Sequence, residues 1–234
     1  MRNFLFASCP ITIWCITVIE LVLLILMYKK YSSSKNPMFL CMALITTGLF
    51  IDALGISLGS VLTGNVLTVV SRIRFISHGI LIPLLFPICA YALVLNKTWM
   101  KAVWILTAIL MIAGMAEAIA TVFEPDTIAG VTRFKAAAST PGWASAISKA
   151  LSFGTVIPLM ISGIIVWIKQ NTPFLFLSGF SMFAFSALGP ATGNSDLIFY
   201  ISMFGEVLMV LFLYLYAEKR TEQRPNPGLN SFRT

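Results

Sequence analysis

Residues 71–95 read SRIRFISHGILIPLLFPICAYALVL. The part from 79 to 95 carries no charge over 17 residues, nearly the roughly 20 that a helix needs to cross a bilayer. Arg72, Arg74 and His78 precede it, where a spanning segment would normally be apolar. The uncharged run still requires a helix, so three polar side chains enter the membrane with it. Working outward, apolar runs bounded by charge, Pro or Gly predict further spans near 10–28, 38–58, 100–122, 151–168, 173–190 and 197–217.

The expected fold is therefore all-α, a polytopic membrane bundle of seven transmembrane helices over residues 1–217. Composition agrees: 58% of the 234 residues are hydrophobic and 11% charged, far more apolar than a water-soluble domain. Seven helices with short loops use most of this length and leave no room for a soluble domain. Residues 218–234 read EKRTEQRPNPGLNSFRT, too polar to bury a core, and are expected to be a disordered basic cytoplasmic tail.

The net charge of +7 excludes less than it suggests. A nucleic-acid surface gathers Lys and Arg on one face, whereas here they stand at helix ends, as orientation signals and anionic headgroups require. The lipid bilayer is the expected partner and nucleic acid is not. Ten basic residues, Lys29, Lys30, Lys35, Lys97, Lys101, Lys169, Lys219, Arg220, Arg224 and Arg233, fall on one side, and four, Arg2, Arg133, Lys135 and Lys149, on the other. The positive-inside rule places the N-terminus outside and the C-terminus in the cytoplasm of a multi-pass cell-membrane protein. The connection from about 123 to 150 is long, so its charges count for less.

Several local patterns lead nowhere chemical. Cys9, Cys15, Cys41 and Cys89 show no paired spacing, and His78 is the single histidine, so neither a disulfide framework nor a zinc site is expected. Phe6-Ala7-Ser8-Cys9 imitates a lipoprotein signal, but the apolar stretch before it is too short, and the segment is expected to stay in the mature chain. Gly55 and Gly59 form a GxxxG spacing, read as close packing within the bundle.

Depth sorts the ionisable residues at about 1.5 Å of rise per residue. Glu20 and Glu206 approach mid-bilayer; Asp52, Glu117, Arg74 and His78 sit in the outer thirds of their helices. Arg74 and His78, one turn apart, share a face. An ionised group at mid-membrane costs roughly 2.5 to 3.5 kcal/mol on insertion scales, so these side chains should point inward. They form the candidate ligand or ion site, an outward-opening cluster with Arg74 as its main cation. Ion pairs that only fix helix register would need one such pair rather than four carboxylates on four helices.

The third and seventh spans resemble those of the microbial rhodopsins. Arg74 precedes Pro83-Leu84-Leu85 by nine residues and Glu206 precedes Lys219 by thirteen, as an arginine and a carboxylate do in that family. The resemblance implies a rhodopsin-like bundle, but departs from the family at the residues that carry its pigment. Val210 stands where the family has its retinal-bearing lysine, Ser77 holds the counter-ion position, and His78 follows where an aromatic residue is usual. Phe176, Phe180 and Phe183 lie where ring-packing aromatics would line a chromophore pocket, without the family's tryptophans, and are read as apolar packing or lipid-facing residues. No covalent retinal is expected; a non-covalent isoprenoid or lipid is.

Three functions follow from these residues. The first is an opsin-like binding or sensory protein that holds a small apolar or amphipathic molecule and signals through a cytoplasmic partner. A proton or ion transporter using Glu20, Glu206 and His78 is the second, weakened by the scarcity of ionisable residues in the cytoplasmic halves of the spans. The third is an intramembrane lipid-modifying enzyme using scattered carboxylates, with no GxSxG elbow, zinc set or P-loop to support it. Catalytic residues are not identified, and the balance leans away from an enzyme.

Overall fold

A computed structural model describes the backbone of residues 2–191 and 195–222, with side chains at 7–186 and 200–222. Its helices are α1 (Arg2–Ser34), α2 (Pro37–Leu58), α3 (Gly64–Leu81), α4 (Leu85–Ala92), α5 (Lys97–Ala120), α6 (Gly142–Gln170), α7 (Phe174–Ala191) and α8 (Ser195–Glu222). A 3-10 turn, Ile82–Leu84, joins α3 to α4, so the two form one span. Pro83 causes the break: it has no N–H to donate into the helix and its ring crowds the preceding turn. Among the described residues six helices are long and apolar enough to cross a membrane, and Phe174–Ser186 of α7 is a further apolar helical stretch.

The helix starts are encoded locally. Asn36 accepts a hydrogen bond from the Met38 amide with Pro37 at the first helical position, and Asn96 accepts one from the Trp99 amide at 3.0 Å. Asn171 ends α6 in the left-handed conformation that asparagine tolerates. Helices α1, α3 and α6 begin at Arg2, Gly64 and Gly142, before the expected starts near 10, 71 and 151, and α8 runs on to Glu222. The tail from 223 lies outside the described residues.

Helices adjacent in sequence pack together, and α1 closes the ring against α8. Two glycine contacts set the closest approaches: Gly79 of α3 and Gly114 of α5 lie backbone to backbone, and Gly163 of α6 lies against the backbone at Phe176 of α7. A Cβ at any of these would strike main-chain atoms. The GxxxG pair also packs within the bundle, Gly55 against Val70 and Arg74, and Gly59 against Thr132. The outer surface is aliphatic, with Ile105 63% and Ile112 64% exposed on α5 and Ile168 79% exposed on α6. In water such a surface would aggregate; in lipid it is ordinary.

One element departs from an all-helical expectation. Residues of the long connection form a hairpin, β1 (Phe123–Ile128) and β2 (Val131–Ala136), paired antiparallel with Ile128 opposite Val131. Ala129 and Gly130 make the two-residue turn with φ of 51° and 82°, the left-handed values that such a tight turn demands. Ile128 and Val131 insert at the bundle end against Ile13, Ile56 and Met203, and the Thr132 amide donates to the Gly59 carbonyl at 2.9 Å. The hairpin is thus a cap on one end of the helices. That end is called the hairpin end below, and the opposite one the tail end.

Candidate functional site

Beneath the hairpin lies a cavity of about 260 Å³ whose wall includes Asp52, Arg74, His78, Glu117, Arg133 and Glu206. Five of the six residues singled out in the sequence meet there, from α2, α3, α5 and α8. Glu20, the sixth, is fully buried on α1 outside the cavity wall, within electrostatic range of Asp52.

Arg74 is 8% exposed, and its Nε lies 3.2 Å from Asp52 Oδ1. That contact is an ion pair without hydrogen-bond alignment, since Nε has no directed partner. Another guanidinium nitrogen of Arg74 donates to the Phe134 carbonyl of β2 at 3.2 Å. Asp52 can reach Arg74 because Gly55, one turn further along α2, lets the arginine stem lie against the helix. The nearest carboxylate partner of Arg74 is therefore Asp52, while Glu206 shares the same cavity.

Arg72, two residues earlier, is built for a different purpose. It donates to the carbonyls of Ala118, Ile119 and Thr121 at 2.9, 3.2 and 3.1 Å, and its guanidinium lies 4.0 Å from the centre of the Phe123 ring. A cation there satisfies the open carbonyls at the α5 C-terminus and holds the first residue of the hairpin. Arg72 fastens the cap, whereas Arg74 enters the site.

Arg133 is the site residue that sequence reading missed. It reaches the cavity from β2 and pairs with Asp126 of β1 at 3.1 Å. Burial lowers its pKa from the ordinary value, and the charge of Asp126 opposes that shift. Glu117 accepts a hydrogen bond from Thr121 at 3.2 Å, and Ser148 of α6 stands within hydrogen-bonding reach.

Three other groups in this half are less well served. Both carboxylate oxygens of Glu20, Oε2 of Glu206 and Nδ1 of His78 are buried without a hydrogen-bond partner. Buried polar atoms are nearly always paired, so each such atom needs a reason.

A second cavity, about 130 Å³, is lined mainly by apolar side chains, among them Leu49, Leu85, Val156, Phe183 and Met209. His78, Ile82 and Ser152 stand in the walls of both cavities. Of the three phenylalanines singled out in the sequence, Phe183 lines this space, while Phe176 stacks between Trp167 and Phe180 with centroids 5.8 and 5.5 Å away. Ser77 donates back to the Arg74 carbonyl at 2.9 Å and lines neither cavity.

The fit to a Schiff-base chromophore is poor. Val210 is fully buried in the apolar core and lines neither space, and no lysine stands in either wall. An imine needs an amine facing the ligand. What the arrangement can do is hold a molecule with one polar and one apolar end. No family model matches the chain, and no curated protein matches it.

Proposed function

We propose that this integral membrane protein is a binding or sensory bundle, opsin-like in design, that holds a small apolar or amphipathic molecule such as an isoprenoid or lipid without a covalent bond. The observation that carries the reading is the pair of adjoining cavities, one polar and one apolar, which share His78, Ile82 and Ser152. A ligand spanning both would meet charge at one end and hydrocarbon at the other, the usual composition of a small-molecule site. The same placement favours binding over proton transfer: among the described residues the buried Asp, Glu and Arg side chains are Glu20, Asp52, Arg74, Glu117 and Glu206, and none follows Glu20 on α1 or Glu206 on α8 toward the tail end. A relay would have no stepping stones there.

In the proposed orientation the hairpin end faces outside and the tail end the cytoplasm, following the excess of basic residues at the tail end. A reporter active only outside the cytoplasm should work when inserted at Gly130 and be silent when fused after Glu222. A cytoplasmic partner would read occupancy at the tail end.

Extraction of the purified native protein, followed by mass spectrometry, tests the binding reading. About one apolar or amphipathic molecule per chain is expected, and it should be lost from Val156→Trp, whose added bulk fills the apolar cavity. A molecule retained by that variant, or none in the unaltered protein, would overturn the proposal.

A further inference from the structure

The walls of the polar cavity hold three carboxylates, Asp52, Glu117 and Glu206, against two guanidinium groups, Arg74 and Arg133. Each guanidinium already has an acidic neighbour: Asp52 lies beside Arg74, and Asp126, from outside the wall, beside Arg133. Neither Glu117 nor Glu206 has an ion pair among the described residues. The positive charge in this space is answered, and part of the negative charge is not.

An acidic excess alone says little, but Glu206 adds a separate observation. It is 7% exposed, it stands in the cavity wall, and its Oε2 is buried with no hydrogen-bond partner. An ionised carboxylate in a low-dielectric space needs a cation or hydrogen-bond donors nearby. The protein's own cations are engaged elsewhere, so a ligand can supply what is missing. A fatty-acid or phosphate head would instead bring another anion toward unpaired carboxylates.

We infer that the polar cavity receives the ammonium head of an amphipathic amine, with Glu206 as its principal anion and Glu117 as its second, while the hydrocarbon chain of the ligand enters the apolar cavity past His78 and Ile82. The inference rests on the binding reading above and assigns the sign of the ligand's charge. An ammonium has three donors, and the Glu206 and Glu117 carboxylates with the Ser148 hydroxyl would accept them. The Arg74–Asp52 pair then acts as a neutral wall that keeps a second cation out. Leu85, Val156 and Met209 surround the chain with side chains that cannot compete for the head.

The test uses the full chain in a neutral detergent and three probes of equal chain length: decylamine, decanol and decanoate, read by thermal shift and by isothermal titration. Decylamine should bind about tenfold or more tightly than decanol, the scale set by coupling of close charge pairs, with decanoate weakest. Glu206→Gln should erase the advantage of the amine over decanol. Glu117→Gln should reduce it by a smaller factor, which keeps the test open if one variant is poorly expressed. If decanol and decylamine bind equally, or decanoate binds best, the charge assignment fails and the binding reading stands. If none of the three binds, both fall.

Discussion

The two ends of the bundle handle polar groups in opposite ways. At the tail end, Gln170 of α6 donates to the Ala92 carbonyl at 3.1 Å and accepts from Arg220 and Tyr216 of α8 at 2.8 and 3.4 Å. Lys30 pairs with Glu218 at 2.7 Å, and Tyr214 donates to the same carboxylate at 2.7 Å. Among the described residues, Thr172 alone leaves a buried side-chain oxygen there without a partner. At the hairpin end, Glu20, Arg74, His78 and Glu206 have buried atoms without hydrogen-bond partners among the described residues, and all but Glu20 line the polar cavity. A satisfied network locks helices together; an incomplete one beside open space is what a binding site looks like before its ligand arrives. The contrast separates the two sets of polar residues by their bonding, where depth in the membrane alone treats them alike.

The largest expected effect is the one that would break this division from the hairpin side. Arg74→Gln or Asp52→Asn alone leaves one buried charge without its partner, at about 3–5 kcal/mol, whereas the double variant removes both charges. Equilibrium unfolding in mixed micelles should give a double-variant loss well below the sum of the single losses. A second cycle, Arg74→Gln with Glu206→Gln, should show weaker coupling. Simple additivity in the first cycle would mean that the Asp52 contact does not bind the helices, and a stronger second cycle would make Glu206 the true partner.

That comparison of partners shows where sequence reading stops. The spans were legible because charge, Pro and Gly interrupt apolar runs at membrane spacing, and of the six residues that depth counting grouped, Asp52, Arg74, His78, Glu117 and Glu206 line one cavity. Depth says nothing about rotation, however. Helix α1 is apolar nearly all round, so its residues do not reveal which way Glu20 turns, and Glu20 lies off the cavity wall. Choosing Asp52 over Glu206 for Arg74 depends on the α2–α3 contact at Gly55, a relation between two helices that neither segment contains. Arg133 was missed because its segment read as connection. The clue was present: Thr127-Ile128 and Val131-Thr132 are all β-branched and flank a two-residue step, Ala129-Gly130, that ends in glycine.

From the tail side, Leu213→Ala is the sharper probe. Leu213 is fully buried in the apolar core, and truncating it should cost about 3 kcal/mol because neighbours fixed on several helices cannot close the gap. The same unfolding measurement applies. Decylamine affinity should change less than twofold in this variant, since Leu213 lines neither cavity. A large loss of binding would show that the two ends are not independent.

Arg220→Met tests the satisfied network itself at a lower cost. It keeps the apolar stem and removes the donor to Gln170 and Tyr216. The expected loss is about 1–2 kcal/mol, because Gln170 Oε1 still accepts from Tyr216 and is not stranded. A loss near zero would reduce the network to a surface decoration and weaken the contrast between the ends.

The smallest effect belongs to Glu206→Gln, although a carboxylate buried among helices would ordinarily be expected to matter most. The reasoning turns on what is lost when the group is replaced. A paired charge leaves a stranded partner behind, and that stranded group accounts for most of the cost of breaking a buried pair. Glu206 has no ion-pair partner among the described residues and one buried oxygen with no hydrogen bond. Replacing it with an amide of the same shape removes an incompletely satisfied charge and strands nothing. The ligand-free protein should therefore unfold within about 1 kcal/mol of the unaltered one, on either side, even as the preference for an amine head disappears. A residue whose removal leaves stability alone and changes binding serves the ligand rather than the fold. If Glu206→Gln instead cost about 3 kcal/mol or more, on the scale of a broken buried pair, the hairpin end would be as fully bonded as the tail end. The division between them would then be wrong.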